Sequence, residues 1–319
     1  MSHISDTLHD PKPPRHGEPP LVVAPESRLF ATRAARFREL EERLPDMAAF
    51  LAFNAHLARA QHRVLKERDV EPFDAQSFDM ALAHDFPPLT PTSLLASVTW
   101  QADLKALLEA LDRTLADKSE AFAAQRELLS ALGGFEPATL DKIAQSVLSQ
   151  PSVPAEYRGV APLIGAALQI AWTRLSQSLK PLPHRPQGAA QGLCPCCGSP
   201  PVASTVQLGR HRSRVRYLVC GLCSTQWYLE RARCSHCFDT EKLDYIGVEG
   251  PDGKRALPVR AESCGGCRAS VKLMDREWEA DTDPFADDIA TLGLDMLLEE
   301  QGYARAGFNP LLAFGSDEG

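Results

Sequence analysis

The chain has 319 residues, of which 44% are hydrophobic, 24% charged and 7% aromatic, too apolar for wholesale disorder and sufficient to bury a core. Its length sets an expectation of about two domains. With 34 Lys and Arg against 42 Asp and Glu the net charge is -8, so the surface as a whole has no field attractive to phosphate and a general nucleic-acid binder is disfavoured.

Residues 1–28 carry Pro11, Pro13, Pro14, Pro19, Pro20 and Pro25, a composition that packs no core of its own and reads as a flexible leader. There is no basic start followed by an apolar run and no twin arginine, so no secretory signal is read and a cytoplasmic protein is expected. From Leu29 the period becomes helical: Phe30, Ala34, Phe37, Leu40 and Leu44 share one face, and Pro45 ends the run. A second helix follows through Met47, Phe50, Leu51, Leu57, Ala58, Val64 and Leu65, then a connector from Asp69 to Phe86 with room for a short helix. Further helices are expected over Trp100 to Leu115, Phe122 to Leu132, Leu140 to Leu148 and Leu163 to Leu179. Gly133-Gly134 is placed to end one of them in a left-handed cap. The longest apolar stretch, Val160 to Trp172, is interrupted by Pro162, Gly165 and Gln169 and falls short of the ~20 residues that span a bilayer. No membrane insertion is expected. Residues 29–180 therefore read as an all-α domain of about six helices, with His56, His62 and the Phe30, Phe37, Phe50 and Phe53 set taken as packing residues.

Residues 181–193, Pro-, Gly- and Gln-rich and without periodicity, read as a linker. Beyond it the apolar residues fall into short β-type pieces: Val202 to Leu208, Val215 to Val219, Gln226 to Leu229, Leu243 to Val248 and Ser270 to Met274. A last helical pattern runs from Asp283 to Glu300, with Phe285, Ile289, Leu292, Met296 and Leu297 on one face and Pro284 in the first turn.

All nine cysteines lie between Cys194 and Cys267. Eight form four C-x-x-C knuckles: Cys194/Cys197, Cys220/Cys223, Cys234/Cys237 and Cys264/Cys267. The two-residue spacer lets a loop fold back so that both sulfurs face one ion, with backbone N–H groups at hand to support them. In a reducing compartment such pairs are metal ligands before they are disulfides, and no βαβ context suggests a thioredoxin-like redox pair. Twenty-two residues separate the first knuckle from the second and 26 the third from the fourth, each enough for a hairpin; 10 separate the second from the third. Sequential pairing is favoured, with an interleaved arrangement left open. Two tandem ribbons follow, 194–232 and 233–275, each holding one ion in four thiolates, and an acidic helix and tail at 276–319. Four thiolates suit iron or zinc alike. Both sites are closed, which argues against an enzyme. Cys196 and His236 are read as non-ligands.

Arg210, His211, Arg212, Arg214, Arg216, Arg231 and Arg233 make a basic stretch beside the first ribbon, and Asp275 to Glu300 carries ten carboxylates against Arg276 alone. The two could pair within the molecule or offer a docking surface. The basic stretch is the sole support for an alternative reading as a nucleic-acid-binding ribbon protein. A second alternative is a rubredoxin-like redox or iron-sensing protein.

The pattern resembles the FdhE family of formate dehydrogenase accessory proteins. The resemblance rests on the Cys-Pro-x-Cys-Gly type opening (Cys194 to Gly198), the Tyr217 to Trp227 run with its knuckle, the knuckles at 234/237 and 264/267, and the Asp287 to Asp295 segment. It implies an α+β fold with a helical N-terminal domain, two rubredoxin-like or zinc-ribbon modules and a C-terminal helix. It further implies a non-catalytic cytoplasmic biogenesis factor that binds the catalytic subunit of respiratory formate dehydrogenase, and it tilts the choice of ion toward iron. Phe238 stands after the third knuckle where ribbons more usually carry glycine.

Overall fold

A computed structural model describes residues 20–70, 78–116, 121–149, 153–185, 188–208, 214–249 and 257–312. Helices α1 (Leu29–Arg43) and α2 (Ala48–Glu67) form a hairpin through a short 3-10 turn at Pro45–Met47, where the ring of Pro45 cannot donate the next helical hydrogen bond. The short α3 (Asp79–Ala83) and α4 (Pro91–Leu94) lead to α5 (Trp100–Leu115), α6 (Ala123–Gly133), α7 (Pro137–Ser149) and α8 (Ala161–Ser178). Helix α2 packs on α1, α5 and α8, and α5 and α7 also pack on α8. The expected apolar faces are buried: Phe30, Ala34, Phe37 and Leu40 of α1, and Trp100, Leu104, Leu107, Leu108, Leu111 and Leu115 of α5. Phe50 departs from the expectation, being 43% exposed. Gly133 closes α6 in helical conformation and Gly134 caps it at φ -94°, so neither supplies a left-handed cap. His56 lies edge-on to Phe122.

Helix α8 is buried almost all round, from Leu163 to Thr173 without a break and again at Leu175 and Ser176. The interruptions that spoiled it as a membrane span explain this position. Gly165 admits the backbone of Pro310, which a Cβ would strike, and Gln169 reaches out of the helix to polar partners on two sides. Among the described residues no helix is long and apolar enough to cross a membrane.

The second half forms one eight-stranded sheet among the described residues, in the order β1 (Val22–Val23), β4 (Gln226–Tyr228), β3 (Arg214–Cys220), β2 (Pro201–Leu208), β7 (Ala269–Asp275), β6 (Val259–Cys264) and β5 (Leu243–Ile246), with β8 (Ala304–Arg305) beside β7. Each ribbon is an antiparallel three-stranded unit, β2-β3-β4 and β5-β6-β7, built to the same plan. Strands β3 and β6 each end on the first cysteine of a knuckle, Cys220 and Cys264, opposite Pro201 and Leu243 at the starts of their neighbours. The two units join by a parallel pairing of β2 with β7, Ser204 against Leu273 and Val206 against Asp275. A buried polar contact crosses the joint: Glu262 of β6 accepts from Ser204 Oγ at 2.6 Å and from Arg216 Nη2 at 2.5 Å.

Both ends of the chain fold onto this frame. Residues 1–19 of the expected leader lie outside the described residues, but its last part contributes β1, Val22 pairing with Trp227 and Val23 with Gln226. The acidic segment after β7 returns to α1. Arg33 Nε donates to Asp283 at 3.1 Å with its guanidinium stacked 3.8 Å from the Phe285 ring centroid, and Arg36 Nη2 donates to Asp287 at 2.6 Å. Asp283 also accepts the backbone N–H groups of Phe285 and Ala286, fixing the entry to α9 (Ala286–Ala290). The expected single helix breaks at Thr291, whose hydroxyl donates to the Asp287 carbonyl, and α10 (Leu292–Glu300) turns a different face inward: Leu294 and Leu298 are buried whereas Met296 and Leu297 are exposed.

The final described residues strap across α8 and the second knuckle. The carbonyl of Phe308 occupies the space that a Cβ on Gly221 would need, as Pro310 does at Gly165. In a free helix Gly165→Ala would stabilise by up to about 1 kcal/mol through propensity. Under the strap the sign reverses, and overpacking is expected to cost roughly 1–3 kcal/mol, read as a lowered midpoint of thermal unfolding. A raised midpoint would show that residues 307–311 do not sit on α8.

Candidate functional site

The four knuckles meet in sequential order. Cys194, Cys197, Cys220 and Cys223 form one group and Cys234, Cys237, Cys264 and Cys267 the other, the sulfurs of each group all lying within 4.8 Å of one another. The interleaved arrangement is not the one adopted. In the first group Sγ–Sγ separations are 3.5 Å for Cys194 and Cys223, 3.4 Å for Cys197 and Cys220, and 3.6 Å for Cys197 and Cys223. In the second they are 3.8 Å for Cys234 and Cys267 and 3.6 Å for Cys237 and Cys264. A disulfide would bring sulfurs to ~2.05 Å. Four thiolates held tetrahedrally at ~2.3 Å from one ion lie ~3.8 Å apart, so the observed spacing is that of a metal site, and each cluster could hold one metal ion. Cys196 is buried but outside both groups, and His236 is exposed and outside them as well.

The knuckles share a pattern of closing backbone bonds. Gly198 N–H donates to the Cys194 carbonyl at 2.8 Å and Phe238 N–H to that of Cys234 at 3.1 Å; Arg268 N–H does so to Cys264 at 2.9 Å. The N–H groups of Cys194, Cys220 and Cys234 reach forward to the carbonyls of Ser199, Thr225 and Asp239. This turn drives the residue after the second cysteine into left-handed backbone: φ is +74° at Gly198, +59° at Ser224, +65° at Phe238 and +61° at Arg268. Phe238 therefore has the geometry of its three counterparts, although a side chain there costs on the order of 1 kcal/mol or more. Backbone N–H groups of Leu222 and Cys223 point at Cys220 Sγ (3.3 and 3.4 Å), and those of His236 and Cys237 at Cys234 Sγ (3.4 and 3.5 Å). Such bonds favour the thiolate.

Burial opposes them. It pushes the Cys194 and Cys220 thiols well above the ordinary thiol range, and Cys267, crowded by Cys237 and Cys234, is pushed up to about 12. Four packed sulfurs cannot all ionise beside one another without a cation to offset their mutual repulsion. The chemistry of the donor set thus fits a divalent or trivalent thiophilic ion. With all four positions filled by protein, neither site leaves room for a metal-bound water.

The two groups differ in their surroundings. All four sulfurs of the first are buried, whereas Cys237 is exposed and Cys267 half-buried in the second. The first is also wired into the helical domain. Gln169 Nε2 of α8 donates to the Gly221 carbonyl at 3.0 Å, and its Oε1 accepts from Arg33 and Gln61. Thr225 Oγ1 sits 3.2 Å from Cys223 Sγ and 2.7 Å from Ser176 Oγ of α8. Leu89 N–H donates to the Cys196 carbonyl at 2.8 Å while the Leu89 carbonyl accepts from Trp172 Nε1. Gln169, Ser176, Thr225 and the Gly221 strap contact are absent from the motif-based reading. The one sign of them is Gln169, a polar residue set in the apolar run from Leu163 to Trp172.

Two arginines of the basic stretch, Arg214 and Arg216, are used within the fold. Arg210, His211 and Arg212 lie outside the described residues. Arg214 pairs with Asp275 at 3.1 Å and with Glu277, and Arg216 is buried against Glu262. Arg233 lies 3.9 Å from Glu230, leaving Arg231 exposed. Strand alternation does put Arg214 and Arg216 on one face, and the intramolecular pairing with acidic residues is the arrangement found.

Comparison with known proteins covers nearly the whole chain. Residues 18–189 match the model for the N-terminal domain of FdhE, 193–231 the FdhE central domain and 232–312 the FdhE C-terminal domain. A protein FdhE homolog of Stutzerimonas stutzeri is 36% identical over 307 residues, 94% of each chain. Protein FdhE of Escherichia coli O1:K1 is 33% identical over 302 residues, 94% of this chain and 93% of the relative. The crystal structure of the FdhE protein from Pseudomonas aeruginosa superposes with a TM-score of 0.80 at 32% identity, covering 93% of this chain and 100% of that one. The chain belongs to the FdhE family.

Proposed function

We propose that the protein is a non-catalytic accessory factor in the assembly of respiratory formate dehydrogenase, binding the catalytic subunit of that enzyme in the cytoplasm. The helical unit 29–180 acts as a platform, joined through 181–193 to ribbons 194–232 and 233–275 and the acidic segment 276–319. Cys194, Cys197, Cys220 and Cys223 hold one metal ion, and Cys234, Cys237, Cys264 and Cys267 a second. Iron is favoured over zinc on the family resemblance. The observation that carries the reading is the pair of closed four-sulfur clusters at metal spacing, in a chain that belongs to the FdhE family. A saturated tetrathiolate supplies folding free energy and rigidity, and no open coordination position for substrate. The internal pairing of Arg214 and Arg216 weakens the nucleic-acid alternative.

Affinity isolation of the chain from its native cells, with metal analysis of the same preparation, tests the proposal directly. The catalytic subunit of formate dehydrogenase is expected among the co-purifying proteins, and bound ferric ion is expected to give thiolate-to-metal charge-transfer absorption. A preparation that holds zinc alone refutes the choice of iron, and one that never captures the subunit refutes the partner.

Replacing Cys220 and Cys223 together by Ser is expected to halve the metal content and to lower the unfolding midpoint of the whole chain, because Gly221 and Thr225 tie this knuckle to α8. Capture of the subunit is expected to be lost with it. Unchanged metal stoichiometry would remove Cys220 and Cys223 from the ligand set.

The difference in burial predicts two phases when a chromogenic chelator is added. The second site, with Cys237 exposed and Cys267 half-buried, is expected to release its ion roughly tenfold faster or more than the first, a difference of the size that surrounding-shell changes produce. A Cys234→Ser/Cys237→Ser variant should lack the fast phase. A single phase with full amplitude would contradict the assignment.

A further inference from the structure

Behind the second knuckle a cavity of about 190 Å³ lies between the start of α1, Ser224 and Gln226 of the first ribbon, and residues 280–285 of the acidic segment. Its lining holds three donors left over by the fold. Ser224 is 6% exposed and Thr282 3% exposed, yet no described residue bonds to Ser224 Oγ or Thr282 Oγ1. The third is Arg276, the lone basic residue of the acidic stretch. Its Nε is buried without a partner among the described residues. Its other nitrogens make only long bonds to neutral oxygens, Nη1 to Gln207 Oε1 at 3.5 Å and Nη2 to the Thr282 carbonyl at 3.3 Å. The second arginine of the cavity, Arg33, is already neutralised by Asp283 at 3.1 Å.

Leaving such donors dry costs about 1–3 kcal/mol each, and more for a charged one. Among the described residues no carboxylate lies within salt-bridge distance of the half-buried Arg276, whereas the buried Arg33, Arg36 and Arg216 each have one; Asp283, Glu26 and Asp287 act on its charge only from farther away. We propose that this cavity is a binding site for a single carboxylate group, received by Arg276 with Ser224 and Thr282 as hydroxyl donors. The planar fork of a guanidinium matches the two oxygens of a carboxylate. The carboxylates of Glu26 and Asp281, exposed beside the same cavity, work against a doubly charged phosphate or sulfate. The carboxylate can belong to a free small acid or to an acidic side chain or C-terminus of a protein partner.

The test is a titration of the metal-loaded full chain with sodium acetate at constant ionic strength, chloride making up the balance, followed by the NMR resonance of Arg276 Nε–H. A saturable shift is expected with acetate and none with chloride. Arg276→Gln should abolish binding, followed as a saturable rise in the unfolding midpoint that the wild type shows. Ser224→Gly and Thr282→Val should each weaken it about fivefold, the effect of losing a hydrogen bond worth ~1 kcal/mol. Ser224→Gly keeps the fold testable, because glycine accepts the left-handed backbone at this position without strain. Short peptides with a free C-terminus or an internal Asp, compared with their amide and Asn counterparts, separate the sources. Competition by an acidic peptide identifies a protein carboxylate, and its failure beside acetate binding identifies a free acid. A non-saturating response, or an equal one in Arg276→Gln, would mean that the cavity holds only water and would overturn the proposal.

Discussion

The structure turns on the hydrogen bond from Gln169 to the carbonyl of Gly221. Gln169 sits in the buried stretch of α8 amid the apolar run from Leu163 to Trp172, where an amide without partners would cost about 1–3 kcal/mol. Its carbonyl oxygen takes up donors from Arg33 and Gln61, and its amide nitrogen is satisfied by a knuckle of the first four-cysteine cluster. The geometry of the knuckle is in turn set by its sulfurs, which can all ionise together only with charge compensation. The polar interior of the helical half and the four-sulfur cluster are therefore mutually dependent. Helix α8 belongs to both halves, and the Trp172 to Leu89 bond and the Leu89 to Cys196 bond repeat the coupling at the first knuckle.

The same logic explains why a chain made of three sequence blocks is held together at its ends. Strand β1 from before the helices pairs with β4 of the first ribbon, and strand β7 of the second ribbon pairs with β2 of the first. The strap at 307–311 then covers α8 and the second knuckle, where Gly165 and Gly221 leave it room. Each ribbon alone has too few apolar residues to hold a core by itself. Joined as one sheet and backed by α9 and α10, they share a small core through Val202, Val259, Met274 and Phe285.

Much of this was legible in the sequence because the signals are local. A two-residue spacer between cysteines dictates a knuckle whatever lies around it, and Pro45 ends a helix by its own covalent structure. The 3.6-residue period of Leu104, Leu107, Leu108 and Leu111 survives any tertiary context. What was missed depends on partners distant in the chain. Strand β6 (Val259–Cys264) carries Arg260, Glu262 and Ser263, and its polar residues hide a strand whose Glu262 is satisfied by Arg216 and Ser204 of another unit. Val22 and Val23 form a strand only because β4 offers an edge. Met296 and Leu297 fit the face expected of one long helix, but Thr291 interrupts it and the register of α10 shifts to bury Leu294 and Leu298. Phe238 stands where ribbons more usually carry glycine, and the closing backbone bond to Cys234 holds it left-handed all the same.

Charge shows the same difference between a local and a tertiary reading. A run of ten carboxylates with one arginine looks, in sequence, like a solvated tail or a docking strip for a basic partner. In the fold its core is internal. Asp283 and Asp287 serve Arg33 and Arg36 of α1, while Asp288 and Asp295 surround Lys272 and Arg305. Burial alone would push such carboxylates up toward the neutral form, and for Asp288 the two cations more than offset it, holding the group below its usual range. Removing one partner from such a cluster leaves a buried charge uncompensated, which is far costlier than the modest net gain of the pair. The acidic segment is thereby committed to α1 and to the ribbon sheet at once. Through Asp288, which accepts from Asn309 and Arg305, the segment secures the strap over the first cysteine cluster, while Asp281, Glu299 and Glu300 stay exposed at the surface.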